Sequence, residues 1–386
     1  VDTLITARRV LPRPSAPVRD GAVLIRYGVI VAAGARADVV AQAAPDAVRH
    51  DFPTGTALAG LFNAHVHLAF DASREMLAHF EFPLSDARSR LTSMLRSGVT
   101  TVRDLGDRGH LGAAVRSSFA GEVAPRLLVS GPPLTVPDGH CHFFGGAVTS
   151  DASIRALIDA NAAAGADVIK VMASGGQITE GGADMWESQF SSRELSVIVS
   201  HAAAHGLPVA AHAHGADAIA AAVSAGVSTV EHCSFLTGPR TFDRRDAVAA
   251  RMAAAGISAC STSSRNWRVI VEKLGEPAAT AMYGRLPWLE EHGVRLLAGT
   301  DAGLPGSVFD DPVGALELYE WLGFSRRRIL EIATCDSAEG LGLGEVTGRL
   351  EAGLAGDVLV VEGDPLASLG ALRNPLLVLA QGRAAT

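Results

Sequence analysis

Six side chains in this 386-residue sequence are of types that bind divalent metal and activate water, and each stands in or just after an apolar run. His65-Val66-His67 closes the run from Leu58 to His67. Alternate residues of a strand face the same side, so both imidazoles can enter one space. Lys170 lies within Asp167-Val168-Ile169-Lys170-Val171-Met172, His212 ends Val209-Ala210-Ala211-His212, and His232 ends Thr229-Val230-Glu231-His232. Asp301 follows Leu297-Ala298-Gly299-Thr300. Taken singly, each has an ordinary alternative: a chance HxH, a strand lysine paired with a carboxylate, a hydrogen-bonded core histidine, an aspartate capping a turn. Lys170 is the most informative. Of the 33 basic residues only Lys170 and Lys273 are lysines, so the chain uses Arg almost wherever it needs positive charge. A lysine amine can be neutral when desolvated, which a guanidinium cannot. A neutral amine can combine with carbon dioxide as a carbamate, a two-oxygen anion suited to bridging two cations.

The elements that must position these residues are legible as eight short apolar runs: Leu58 to His67, Val99 to Arg103, Arg126 to Ser130, Asp167 to Met172, Pro208 to His212, Ser228 to His232, Ile257 to Cys260 and Arg295 to Thr300. Helix-compatible stretches lie between them, including Ile154 to Ala164, Ser192 to His205 and Ala216 to Ala225. Each of these ends near a glycine in C-cap position, Gly165, Gly206 or Gly226. Alternating βα units predict a parallel sheet, and eight of them predict a closed (β/α)8 TIM barrel, which brings the carboxyl ends of its strands to one mouth. Long irregular stretches at 131–150 and 173–191 follow the third and fourth strands, where such barrels build substrate sites. The termini differ in texture. Short β segments at Thr3 to Ile5, Gly21 to Arg26 and Val29 to Ala33, and again at 356–361 and 376–379, predict a small discontinuous β-sandwich domain. The expected division is residues 1–57 and 345–386 for the β domain, with 58–344 as the barrel.

Composition narrows the function classes. Hydrophobic residues make up 48% and charged residues 19%, enough for a large core and too apolar for a disordered chain. The net charge of −8 comes without a basic run, so neither nucleic acid nor a polybasic membrane contact is expected, and a small-molecule partner is. Cys141, Cys233, Cys260 and Cys335 show no CxxC spacing, which points to a reducing, cytoplasmic setting. No apolar run is long enough for a spanning helix, and no signal peptide is visible.

Ala59-Gly60-Leu61-Phe62-Asn63-Ala64-His65-Val66-His67 resembles the opening of the amidohydrolase superfamily, usually Pro-Gly-Leu-Ile-Asp-X-His-X-His, with Ala59 for Pro and Asn63 for Asp. Lys170, His212, His232 and Asp301 match its signature after strands four, five, six and eight. The tail Gly348 to Asp357, with Asp364-Pro365-Leu366, is similar to the stretch returning into the family's small β domain, so the resemblance covers nearly the whole chain. Ile169 to Gly176, Ile178 to Gln189 and Gly139-His140 resemble the binuclear Xaa-Pro dipeptidase (prolidase) and imidazolonepropionase-like branch. The resemblance implies two divalent ions, zinc first and manganese or iron as alternatives. His65, His67 and Asp301 would hold one, His212 and His232 the other, and carboxylated Lys170 would bridge them. It implies a metal-dependent hydrolase that cleaves an amide bond of a dipeptide or N-acyl amino acid by metal-bound hydroxide. Asp301 would move the proton and His140 would stabilise the oxyanion. A lactam, lactone, carbamate or organophosphate ester is the alternative substrate, because loops choose the electrophile, and a homo-oligomer is implied as well. His214 stands where prolidase-like members often carry a tyrosine for the substrate carboxylate. His140, His142, His214 and Arg265 are the expected substrate contacts, Arg103 and Asp104 are read as an ion pair, and His201 and His205 as a solvent-facing pair on an outer helix.

Overall fold

Strongly β-forming, Val- and Ile-rich segments at both ends of the chain pair with each other. In a computed structural model describing residues 2–77 and 82–385, the amino-terminal strands are β1 (Asp2–Leu11), β2 (Val18–Arg26), β3 (Val29–Ala35) and β4 (Val48–Ala59). They join β14 (Val358–Glu362), β15 (Pro375–Ala380) and β16 (Arg383–Ala384) in one seven-stranded sheet of order β16-β15-β14-β4-β1-β2-β3. Alternation puts Ile5, Val23, Ile25, Ala57, Val358 and Val360 into one apolar cluster on one side. Leu11, Leu58, Leu359, Val361 and Val378 pack into the main core instead. Period-two patterning thus glues one face of this sheet to the rest of the molecule.

After a single glycine, Gly60, the chain leaves β4 and becomes the first stave of a barrel. The staves are β5 (Leu61–Val66), β6 (Val99–Asp104), β7 (Arg126–Val129), β8 (Ile169–Met172), β9 (Val209–Gly215), β10 (Thr229–Gly238), β12 (Ser258–Cys260) and β13 (Leu296–Leu297). All eight run parallel within two hydrogen-bonded arcs, β5-β6-β7 and β8-β9-β10-β12-β13. Backbone hydrogen bonds close both seams: Asp167 N–H to Val129 O and Leu134 N–H to Lys170 O, each 2.8 Å, and Ala64 N–H to Ala298 O, 2.7 Å. Every residue of β5, β6 and β8 is buried, as expected of parallel strands covered on both faces.

The connecting helices follow the patterns of the sequence. Asp151–Ala163, Ser192–Ala204 and Ala216–Ala225 are helical, and Gly165, Gly206 and Gly226 take left-handed φ of 86°, 71° and 85° just beyond them. Ser191 and Glu194 form a capping box at the start of the second of these. The sixth stave runs further than expected. β10 passes His232 and continues to Gly238, then turns back as β11 (Thr241–Phe242). Its ladder to β9 slips between His232 and Leu236, where His232, Cys233 and Phe235 have φ of 66°, 49° and 56°. A left-handed kink in a run of Cys, Ser, Phe and Leu has no local sequence signal, because tertiary packing imposes it.

Candidate active site

Stave ends deliver the chemistry to one mouth. His65, His67, Lys170, His212, His232 and Asp301 line a single cavity of about 160 Å³, joined there by His140 and His214. His65 Nε2 and His67 Nε2 lie 3.3 and 3.4 Å from Asp301 Oδ1. These three residues form one donor group, and His212, His214 and His232 form another.

Hydrogen bonds from outside the cavity fix which nitrogen faces in. His65 Nδ1 donates to Glu231 Oε2 at 2.8 Å, and His67 Nδ1 donates to the Gly106 carbonyl at 3.2 Å. His212 Nε2 reaches the Gly175 carbonyl at 3.0 Å, and His232 Nδ1 reaches Thr262 Oγ1 at 2.6 Å. Each of the four rings therefore keeps one nitrogen for the cavity, the arrangement that orients imidazole ligands. Burial pushes His65 down to about 4 and His212 and His232 well below the usual imidazole range, so all are held in the neutral form that binds metal. Asp301 completes the picture. Burial alone would raise its carboxyl, but His65 and His67 outweigh that and hold it low, and its Oδ1 is buried without a hydrogen-bond partner. An orphaned carboxylate oxygen facing free imidazole nitrogens fits a cation.

Lys170, 1% exposed, has no ion pair among the described residues. Burial lowers its pKa, against the opposing pull of Glu231 and Asp301. The sequence offered a carboxylate-paired lysine or a neutral amine as alternatives, and the geometry favours the second.

His140 sits on the 131–150 stretch with its ring 4.5 Å from that of His212. The Cys141 N–H donates to Thr179 Oγ1 at 2.9 Å, and the same hydroxyl is hydrogen-bonded to His140 Nδ1, 3.2 Å away. Burial pushes this ring down to about 4, so it is held neutral. Gln189 ties the loop to the barrel, accepting from His140 N–H and donating to the Met172 carbonyl, both at 2.7 Å.

Two expected substrate contacts fall elsewhere. His142 is exposed on a short 3-10 turn and Arg265 lines a separate surface hollow with Asp310, Asp311 and Arg373; neither lines the metal cavity. The cause for His142 is the left-handed Cys141, φ 58°, which turns the next side chain outward. Arg103 pairs with Glu231 across the barrel at 2.8 Å rather than with its neighbour Asp104, whose oxygens accept from Leu68 N–H and Gly106 N–H. Successive strand residues face opposite ways, so neighbours such as Arg103 and Asp104 cannot meet. Glu231 is a buried partner of this site that the sequence reading did not single out. Fully buried, it accepts from Arg103, His65 and Thr229. His201 and His205 both approach Asp159 Oδ1 at 2.7 Å on the barrel's exterior.

An eight-stave parallel barrel whose stave ends gather imidazoles, a carboxylate and a buried amine defines a metal-dependent hydrolase of the C–N bond-cleaving class. The amidohydrolase family model matches residues 56–384, and the chain belongs to that family. Ochratoxinase of Aspergillus niger is 26% identical over 424 aligned positions, covering 97% of this chain and 84% of that protein. Its crystal structure superposes with a TM-score of 0.85 at 23% identity, covering 99% and 95% of the two chains. A Xaa-Pro dipeptidase with methionine bound in its active site gives a TM-score of 0.85 at 23% identity over 100% and 99% of the chains. Among the described residues no helix is long and apolar enough to cross a membrane.

Proposed function

We propose that this amidohydrolase cleaves the amide bond of a small N-acyl amino acid or dipeptide at a binuclear zinc centre, with manganese or iron able to take the same donors. The observation that carries this reading is the orientation of four imidazoles, each tied outside by one nitrogen and keeping the other for the cavity that Asp301 and Lys170 also line. His65, His67 and Asp301 would hold one ion and His212 and His232 the other. Neutral Lys170 Nζ would add to carbon dioxide, forming an N–C bond and releasing one proton, and the resulting carbamate would bridge the pair. When bound, such ions acidify a shared water and polarise a carbonyl. Asp301 accepts the proton released as the water oxygen bonds to the amide carbon, and delivers it to the nitrogen as the C–N bond breaks. Carboxylate and ammonium leave, the second proton on nitrogen coming from the hydroxyl of the tetrahedral adduct. His140 Nε2–H donates to the carbonyl oxygen as charge develops there. Unpaired cysteines, three of them buried, support placing the enzyme in the cytoplasm.

The test is to strip the protein with chelator, reload it with zinc or manganese, and count metal per chain while screening dipeptides, N-acyl amino acids, lactams and aryl esters. Wild type should bind two ions and cleave an N-acyl amino acid or dipeptide. Lys170→Arg, whose guanidinium cannot form the carbamate, should bind one ion fewer and turn over at least ~100-fold more slowly. Turnover confined to lactams or esters would reassign the electrophile, and a protein that binds no metal would end the reading.

A further inference from the structure

Beside the metal cavity opens a second, larger cleft of about 780 Å³, and the two share His214, His232, Asp301, Gln177 and Met185. Its volume suits a substrate well beyond the size of the reacting amide. The walls are mainly apolar, with Trp186, Leu236, Phe242, Trp267 and Ile270 among them. Its charges are lopsided. Arg240, Lys273 and Arg285 line it, whereas the only carboxylate among the described lining residues is Asp301, already facing His65 and His67. None of the three cations has an ion pair with a described carboxylate. The protein as a whole has 41 acidic against 33 basic residues, so a positive cleft does not follow from composition.

The three cations are not equivalent. Arg285 is 4% exposed, and its nitrogens donate to the carbonyls of His232 (3.0 Å), Met282 (3.0 Å) and Ser261 (3.4 Å). It clamps the kink of β10 to the end of β12 and adds only its field to the cleft. Arg240 stands on the exposed turn between β10 and β11 with φ of 59°. Lys273 lies in the last turn of the helix Trp267–Leu274, exposed, with three N–H donors and no hydrogen bond to a described residue. Both lysines of an otherwise Arg-using chain thus line the joined cavities, one at the metals and one at the mouth.

We infer that the cleft selects an amide with a bulky apolar group and a carboxylate remote from the scissile carbonyl, and that Lys273 is the specificity-determining residue that reads that carboxylate. This deepens the amide-hydrolase reading and rests on it for the reaction, but not for the binding. Apolar walls take the body of the substrate, while the anion stays near solvent, where pairing with the ammonium needs little desolvation. Uncompensated cations around a low-dielectric cleft also draw anions towards it.

Binding of two isosteric probes to the zinc-loaded enzyme tests this without turnover: 2-naphthoate and neutral 2-naphthamide, by titration calorimetry. Wild type should prefer naphthoate by about tenfold, with the preference shrinking between 50 and 500 mM sodium chloride. Lys273→Met should cut the preference to less than about threefold and leave naphthamide affinity unchanged, and Lys273→Arg should retain it. Equal binding of both probes to wild type, or no naphthoate binding, overturns the inference. So does a preference that survives Lys273→Met, which would put the carboxylate on the metals, or a parallel loss of naphthamide affinity. An enzyme that passes this test and cleaves no amide would refute the proposed reaction alone.

Discussion

In the proposed reaction Asp301 would carry two duties that pull in different directions. As a ligand it must stay ionised, and as a proton carrier it must accept a proton in passing; His65 and His67 favour the first without blocking the second. Asp301→Asn keeps the shape and removes the basicity, so turnover should fall by about 10²–10⁴-fold while circular dichroism stays unchanged and some metal remains. Wild-type rates would refute its role. Glu231 acts one bond further out. Burial alone would push its carboxyl up, but the Arg103 charge and the His65 hydrogen bond hold it below the usual carboxylate range, so it stays an anion facing His65 Nδ1. Glu231→Gln should weaken metal retention by about 10–100-fold, read as metal content after dialysis against graded chelator. Unchanged retention would make Glu231 merely structural. The six candidate ligands were legible because polar residues at the ends of apolar strands are costly and conspicuous. Glu231 was not, because one residue from His232 it reads as part of the same strand, and its partner Arg103 lies 128 residues away. That Arg265 lines a separate hollow has a related reason: sequence places an arginine in a loop but not the direction it faces.

At the scale of elements, the site depends on how closely the irregular stretches can approach the barrel. A Cβ built on Gly176 would come within 2.3 Å of the His140 ring, so the 173–191 stretch can cross under that ring only where there is no side chain. Gly176→Ala should displace His140 and lower kcat/KM by about 10–100-fold, with metal content close to wild type. Normal kcat/KM would mean that His140 does not act on the substrate. Barrel staves and helices were readable from apolar runs and glycine caps, since these are local signals. The extension of β10 into a hairpin was not, and it matters because the hairpin carries Arg240 and Phe242 to the cleft. Nothing in Cys233-Ser234-Phe235-Leu236 announces a kink. The left-handed residues there are held from outside, Arg285 gripping the His232 carbonyl.

For the whole molecule, the decisive join is Gly60. β4 is the central strand of the seven-stranded sheet, and one residue later the same chain is β5, which carries His65. β14 pairs with β4 from Val358–Ala59 to Glu362–Gly55, so the carboxyl-terminal segment braces the strand that feeds the first two candidate ligands. The sheet also shares the barrel's core through Leu58, Leu359 and Val361. Two units that share a continuous strand and an apolar interface should unfold together. Calorimetry is expected to show one endotherm for sheet and barrel, shifted upward as a whole when zinc is supplied, since ligand binding stabilises whatever unfolds with its site. Val360 is fully buried in the sheet's own cluster, away from the cavity, and a charge there has no partner. Val360→Asp should therefore lower that single transition and reduce metal content along with it, although no donor to the metal has been touched. Two endotherms, only the hotter or cooler of them responding to zinc, would show that the sheet is a passenger and that His65 is positioned by the barrel alone.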